Sequence, residues 1–178
     1  MSNDRRVLGA ILAGGQASRF GADKAMALFE GKPLIDHVAL ALRAQTDAVI
    51  VVGREHAGLT SVADRPAAGL GPLGALAGAL HWARANGFAA VLSAPCDVPL
   101  LPEDLATQMA GEGAAYVDGL PVLGWWPSDL ADDLTTWLVE DRPRAVRRWA
   151  AAIGARAVSL AQMPINVNTQ ADLAALRG

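Results

Sequence analysis

The sequence predicts an α/β protein, a single domain built on a doubly wound, mostly parallel (mixed) sheet flanked by helices. Three stretches carry that expectation. Residues 7–12, 48–52 and 89–93 are near-continuous apolar runs, each followed by glycine or proline. Such runs are the mark of strands buried on both faces of a parallel sheet. Between the first two, residues 34–42 space their apolar side chains for one helical face, with Pro33 at an expected first helical position. A second helix is expected over 73–85, so strand and helix alternate through the first hundred residues, as a doubly wound sheet requires. The chain of 178 residues suits one compact domain. Its regular alternation divides it into two halves, over about 1–100 and about 101–178.

The later half is less regular. Helices are expected over 102–109, 129–139 and 144–152, and short strands over 115–117 and 122–123. Thr169-Gln170-Ala171-Asp172 has the form of a capping box opening a last helix to Arg177.

Composition narrows the function classes. A hydrophobic content of 52% supplies a core without cross-links. The net charge of -3 argues against a general nucleic-acid binder, which needs a basic stripe to displace counterions. Cys96 is the single cysteine, which excludes an intramolecular disulfide and a thiolate zinc cage. The apolar run after the polar N-terminus is too short to cross a bilayer. A soluble, cytoplasmic protein is expected, without membrane or nucleic-acid partners.

The first strand runs directly into Leu12-Ala13-Gly14-Gly15-Gln16-Ala17-Ser18-Arg19-Phe20-Gly21-Ala22-Asp23-Lys24. In open parallel sheets, ligands sit at the carboxyl ends of the strands, where this loop lies. Glycines let backbone amides approach a phosphate, and Arg19 and Lys24 offer positive charge. The loop fits neither the dinucleotide fingerprint nor a P-loop, because Gly21 is followed by Ala22-Asp23. Read by itself, it also suits an ordinary glycine-rich turn. Asp97, between Pro95 and Pro99, falls just past the third strand at the same sheet edge, where it reads either as a turn residue or as a ligand for a divalent cation. His37, His56 and His81 are isolated and are assigned no chemistry. Arg142, Arg144, Arg147 and Arg148 read as a solvated helix face.

The loop resembles the signature of nucleotidyltransferases with a Rossmann-like fold: Leu-Ala-Gly-Gly, three variable residues, Arg, Met, Gly, one or two residues, then Asp-Lys. Phe20 in place of Met is the one departure. Within that group the chain is similar to the molybdenum cofactor guanylyltransferases. Gly31-Lys32-Pro33-Leu34, Gly71-Pro72-Leu73-Gly74, Pro95-Cys96-Asp97-Val98-Pro99 and Asn166-Val167-Asn168-Thr169 extend the similarity along most of the chain. The resemblance implies transfer of GMP from GTP to molybdopterin with release of pyrophosphate, and further protein partners that deliver or accept the cofactor. It assigns Asp97 as the Mg²⁺ ligand and, with Arg19 and Lys24, as catalytic. The nucleotide would be held by Leu12, Ala13, Gly14, Gly15, Lys24, Asp64, Gly71, Pro72, Leu73 and Asp97. Asn166 and Asn168, expected on one face of a short strand, would face the acceptor. The Leu-Ala-Gly-Gly and Gly-Pro-Leu stretches favour GTP over CTP, although Val52 stands where some relatives place a nucleotide-contacting Asn, so that the base is read either by backbone groups or by a substitute contact from Arg54. A CTP-dependent or sugar-phosphate transferase and a non-catalytic nucleotide-binding module are the competing readings.

Overall fold

The computed structural model describes residues 5–14 and 23–176. Its centre is a seven-stranded mixed sheet. Strands β1 (Val7–Leu12), β4 (Ala48–Val52), β5 (Thr60–Val62) and β6 (Ala90–Pro95) run parallel in the order β5-β4-β1-β6. Next to β6 follow β8 (Leu120–Pro127), antiparallel to it, then β7 (Ala115–Val117) and β9 (Arg156–Val158). A small hairpin, β2 (Leu28–Phe29) with β3 (Lys32–Pro33), stands apart from this sheet.

Helices cover both faces. Helix α1 (Leu34–Arg43) turns Ile35, Val38, Ala39 and Leu42 onto one face, where α3 (Leu105–Met109) joins it. The other face carries α2 (Gly71–Ala85), α4 (Ala131–Val139) and α5 (Val146–Ala152) around Leu73, Leu76, Leu80, Trp126 and Trp149. Burial of this apolar area at about 25 cal/mol per Å² is the main term holding the layers together. The capping box at Thr169 is present and opens α6 (Gln170–Ala175), and Leu173 of that helix packs with Phe29, Leu34 and Val167 in a third, small cluster.

Several expected boundaries shift for identifiable reasons. Pro33 is not the first residue of α1: it pairs with Leu28 in the hairpin and precedes the helix as its cap residue. Helix α2 begins at Gly71, two residues early, with Pro72 in its first turn. The expected 102–109 and 144–152 helices shorten to α3 and α5, and 129–139 divides into a 3₁₀ turn at Ser128–Leu130 and α4. Strand β8 runs through Trp125 and Trp126, well beyond 122–123, with Gly124 packed beneath the Trp126 ring. Residues 166–168 form no strand; their tie to the sheet edge is one backbone bond, from the N–H of Val167 to the carbonyl of Asp97 at 2.9 Å. Arg177 lies outside the described residues.

Candidate active site

Register alone brings the site residues together. Leu12 of β1 lies level with Val52 of β4 and Pro95 of β6, and Val52 lies level with Val62 of β5. Gly14, Arg54, Asp64 and Asp97 each follow two residues beyond that common line. Four consecutive strand ends therefore deliver an exposed backbone, a guanidinium and two carboxylates to one edge of the sheet, where ligands of such folds bind.

A cleft of about 310 Å³ opens at this edge. Leu12, Ala13 and Gly14 form its floor, with Gly71, Pro72 and Ala75 from the start of α2 along one wall. Asp23, Lys24, Arg54, Asp97 and Asn166 supply its polar lining. The Lys24 ammonium donates to Oδ2 of Asp97 at 2.8 Å and to Oδ1 of Asn168 at 2.7 Å. Cation, acid and glycine backbone thus share one cleft, and Asn166 and Asn168 adjoin it without a strand to align them. The buried Oδ1 of Asn166 has no hydrogen-bond partner among the described residues, an arrangement that costs stability unless a further group satisfies it.

Asp64 stands behind the glycine floor. Its carboxylate would lie 3.5 Å from a Cβ placed on Gly14, and its buried Oδ1 lacks a partner among the described residues. Burial pushes its carboxyl above the ordinary range, with a hydrogen bond from the Gly69 backbone acting the other way. Gly53, at φ +85°, lets the β4 end touch the β1 end: a Cβ there would come within 2.5 Å of Gly14 Cα.

Not every expected residue turns its side chain to the cleft. Leu73 is fully buried in the main core, so what it can offer a ligand is its backbone N–H, one of the first-turn donors that a helix leaves unpaired. Val52 is likewise fully buried. The valine that replaces a polar residue is a core side chain, and β4 reaches the cleft through Arg54 instead. Gly15 and Arg19 lie outside the described residues.

Asp23 is the site residue with no role assigned from the sequence, and Arg54, one of two alternatives there for reading the base, is bound to it. The Arg54 guanidinium donates end-on to Asp23, Nη1 to Oδ1 at 2.8 Å and Nη2 to Oδ2 at 2.6 Å. This pairing holds the Asp23 carboxyl below its usual range. No local pattern links residues 31 apart; the available signal was that Arg54 directly follows a strand-terminal glycine.

Cys96, half-buried in the cleft wall, has its thiol pushed up to about 11, chiefly by burial, so it is no nucleophile at neutral pH. The histidines are tied up elsewhere: His37 to the Phe29 carbonyl, His56 to Asp36, and His81 to Thr135. Arg142, Arg144 and Arg147 pair with Glu140, Asp141 and Asp118 on the exposed surface.

A strand-edge cleft with a glycine floor and a lysine bonded to the aspartate Asp97 is the arrangement of a nucleotidyltransferase. The chain belongs to the MobA-like NTP transferase family, whose model matches residues 9–158. It is 35% identical to the molybdenum cofactor guanylyltransferase of Acidiphilium cryptum, over 92% of this chain and 90% of that protein. With the molybdenum cofactor guanylyltransferase of Cereibacter sphaeroides it shares 36% identity, covering 95% and 94%. The fold also matches the crystal structure of the molybdopterin-guanine dinucleotide biosynthesis protein A from Archaeoglobus fulgidus, with a TM-score of 0.77 at 19% identity, over 94% of this chain and 95% of that one. None of the described helices is long and apolar enough to cross a membrane.

Proposed function

We propose that this enzyme transfers GMP from GTP to molybdopterin. A terminal phosphate oxygen of the acceptor attacks the α-phosphorus, the bond from that phosphorus to the bridging oxygen of the β-phosphate breaks, and pyrophosphate leaves. The observation that carries the reading is the convergence of the Gly14 backbone, Lys24 and Asp97 on one cleft beside Asn166 and Asn168. GTP and molybdopterin are favoured over other substrate pairs because the curated relatives at 35–36% identity are guanylyltransferases for the molybdenum cofactor.

The acceptor needs no general base. A phosphate monoester has a second pKa of about 6, so it is mostly a dianion at neutral pH. That accords with a cleft that holds no histidine among its described lining residues. The protein's work is positioning and charge neutralisation. The phosphates are assigned to the amides of Gly14 and Gly15 and to the charge of Arg19. Lys24 exchanges its contact with Asp97 for the triphosphate. The N–H groups at the start of α2 and Asp64 serve the nucleoside, and Asn166 and Asn168 serve the acceptor.

Asp97 is suited to hold Mg²⁺. Its carboxylate already receives the positive charge of Lys24 in the cleft, and no cluster of three ligating side chains exists among the described residues. One carboxylate completed by substrate phosphates is how Mg²⁺ is commonly bound. The ion supplies charge neutralisation and polarisation of the phosphoryl group under attack.

A thermal-shift panel with Mg²⁺ tests the nucleotide. At a hundredfold its dissociation constant a ligand stabilises by about 2.7 kcal/mol, and GTP should exceed CTP, UTP and ATP. Asp97→Asn should abolish pyrophosphate release while the protein still unfolds cooperatively. Turnover with a sugar 1-phosphate and none with molybdopterin would overturn the acceptor assignment. Nucleotide binding without turnover on any acceptor would instead mark a silent binding module.

A further inference from the structure

We propose that Arg54 is a positioning residue for Lys24, gripping Asp23 with both terminal nitrogens and so fixing the turn from which Lys24 acts. The inference rests on the nucleotide reading above.

A continuous line of contacts crosses the cleft. Asp23 caps the 3₁₀ turn Lys24–Met26, its Oδ1 accepting the Ala25 N–H at 3.2 Å. The same carboxylate takes the Arg54 fork at 2.8 and 2.6 Å. Lys24, the next residue, reaches the other way to Asp97 and Asn168. Two consecutive residues are therefore tied to different strand ends, Asp23 to Arg54 after β4 and Lys24 to Asp97 after β6. Arg54 is itself anchored, because its carbonyl accepts the Ser61 hydroxyl at 2.8 Å and the preceding Gly53 N–H bonds to Val62 on β5.

Arg suits this task better than Lys. Its planar fork matches a carboxylate at two points and fixes orientation as well as distance, whereas an ammonium fixes distance alone. A long flexible lysine contributes to phosphate binding in proportion to how well its origin is held. The Arg54–Asp23 pair holds that origin, with its own charge cancelled.

Asp23→Asn separates positioning from simple attraction. If Arg54 served the triphosphate as a bare positive charge, loss of the Asp23 charge would free it and tighten GTP binding. Positioning requires the reverse: Asp23→Asn and Arg54→Ala both weaken GTP binding in Mg²⁺, measured by calorimetry, by about tenfold. The loss should depend on Lys24. Arg54→Ala in a Lys24→Ala background should cost less than about twofold, since coupled residues are not additive. Arg54→Lys should leave a deficit of several-fold. Tighter binding by Asp23→Asn, equal losses in both Lys24 backgrounds, or full restoration by Arg54→Lys would each overturn the inference. Cooperative unfolding of every variant is checked in parallel, and Asp23, half-exposed at the cleft mouth, is the change that disturbs the core least. Absence of GTP binding by the unaltered protein would defeat the nucleotide reading, a separate result from any of these.

Discussion

Gly53→Ala should damage catalysis more than it damages the fold. At φ +85° an L side chain costs about 1–2 kcal/mol of backbone strain. The added Cβ would also lie 2.5 Å from Cα and 2.8 Å from N of Gly14. Carbon atoms rest at about 3.5–4.0 Å, so the β1 and β4 ends must part by about 1 Å. Overpacking of that kind costs about 1–3 kcal/mol. The combined penalty, about 2–5 kcal/mol, falls below the 5–15 kcal/mol typical of a folded domain, so the protein should remain native but destabilised. The displaced atoms, however, belong to the cleft floor, and a misplacement of about 1 Å at a reacting centre costs on the order of a hundredfold in rate. Urea unfolding gives the first quantity and pyrophosphate release from GTP the second. A variant destabilised by this amount whose turnover stays within about twofold of the original would show that the Gly14 backbone does not position the nucleotide.

Two further changes test the surroundings of the cleft. Ser93 is fully buried, donating to the Val122 carbonyl at 2.6 Å and accepting from the Trp126 indole at 2.9 Å; Ser93→Ala should cost about 1–3 kcal/mol by urea unfolding, and a loss under about 0.5 kcal/mol would contradict the role given to that network. Asp64 has its carboxyl raised by burial, so the folded state binds that proton more tightly than the unfolded one; the associated stability is present at low pH and lost as pH rises through the folded pKa. Asp64→Asn should therefore raise the melting temperature at pH 7, with the gain vanishing toward pH ~3, below the ordinary carboxylate range; a lower melting temperature at pH 7 would refute this.

The parallel core was legible because its strands are buried on both faces. The runs ending at Leu12 and Val52 were read to their observed limits, and the run before Pro95 to within a few residues. Strands β5 and β9 escaped notice because they are short and largely exposed, so Thr60-Ser61-Val62 and Arg156-Ala157-Val158 show no apolar pattern. Glu30 and Gly31, at φ 49° and 77°, carry the hairpin turn; glycine after a polar residue was a usable sign of it. Gly14, Lys24 and Asp97 were identified because each directly follows a readable strand or belongs to a motif. The fully buried side chain of Leu73 shows the limit of a motif: it names a position without saying whether the side chain or the backbone serves it. The Arg54–Asp23 pair depends on how two loops meet in space, which no local spacing encodes.

The bond from Lys24 to Asn168 joins residues 144 positions apart, and every strand of the large sheet has been made by Val158. The strands of the sheet are therefore synthesised before the asparagines that adjoin the cleft. The acceptor side of the proposed site would be complete only after residue 168 has docked through the Val167–Asp97 bond.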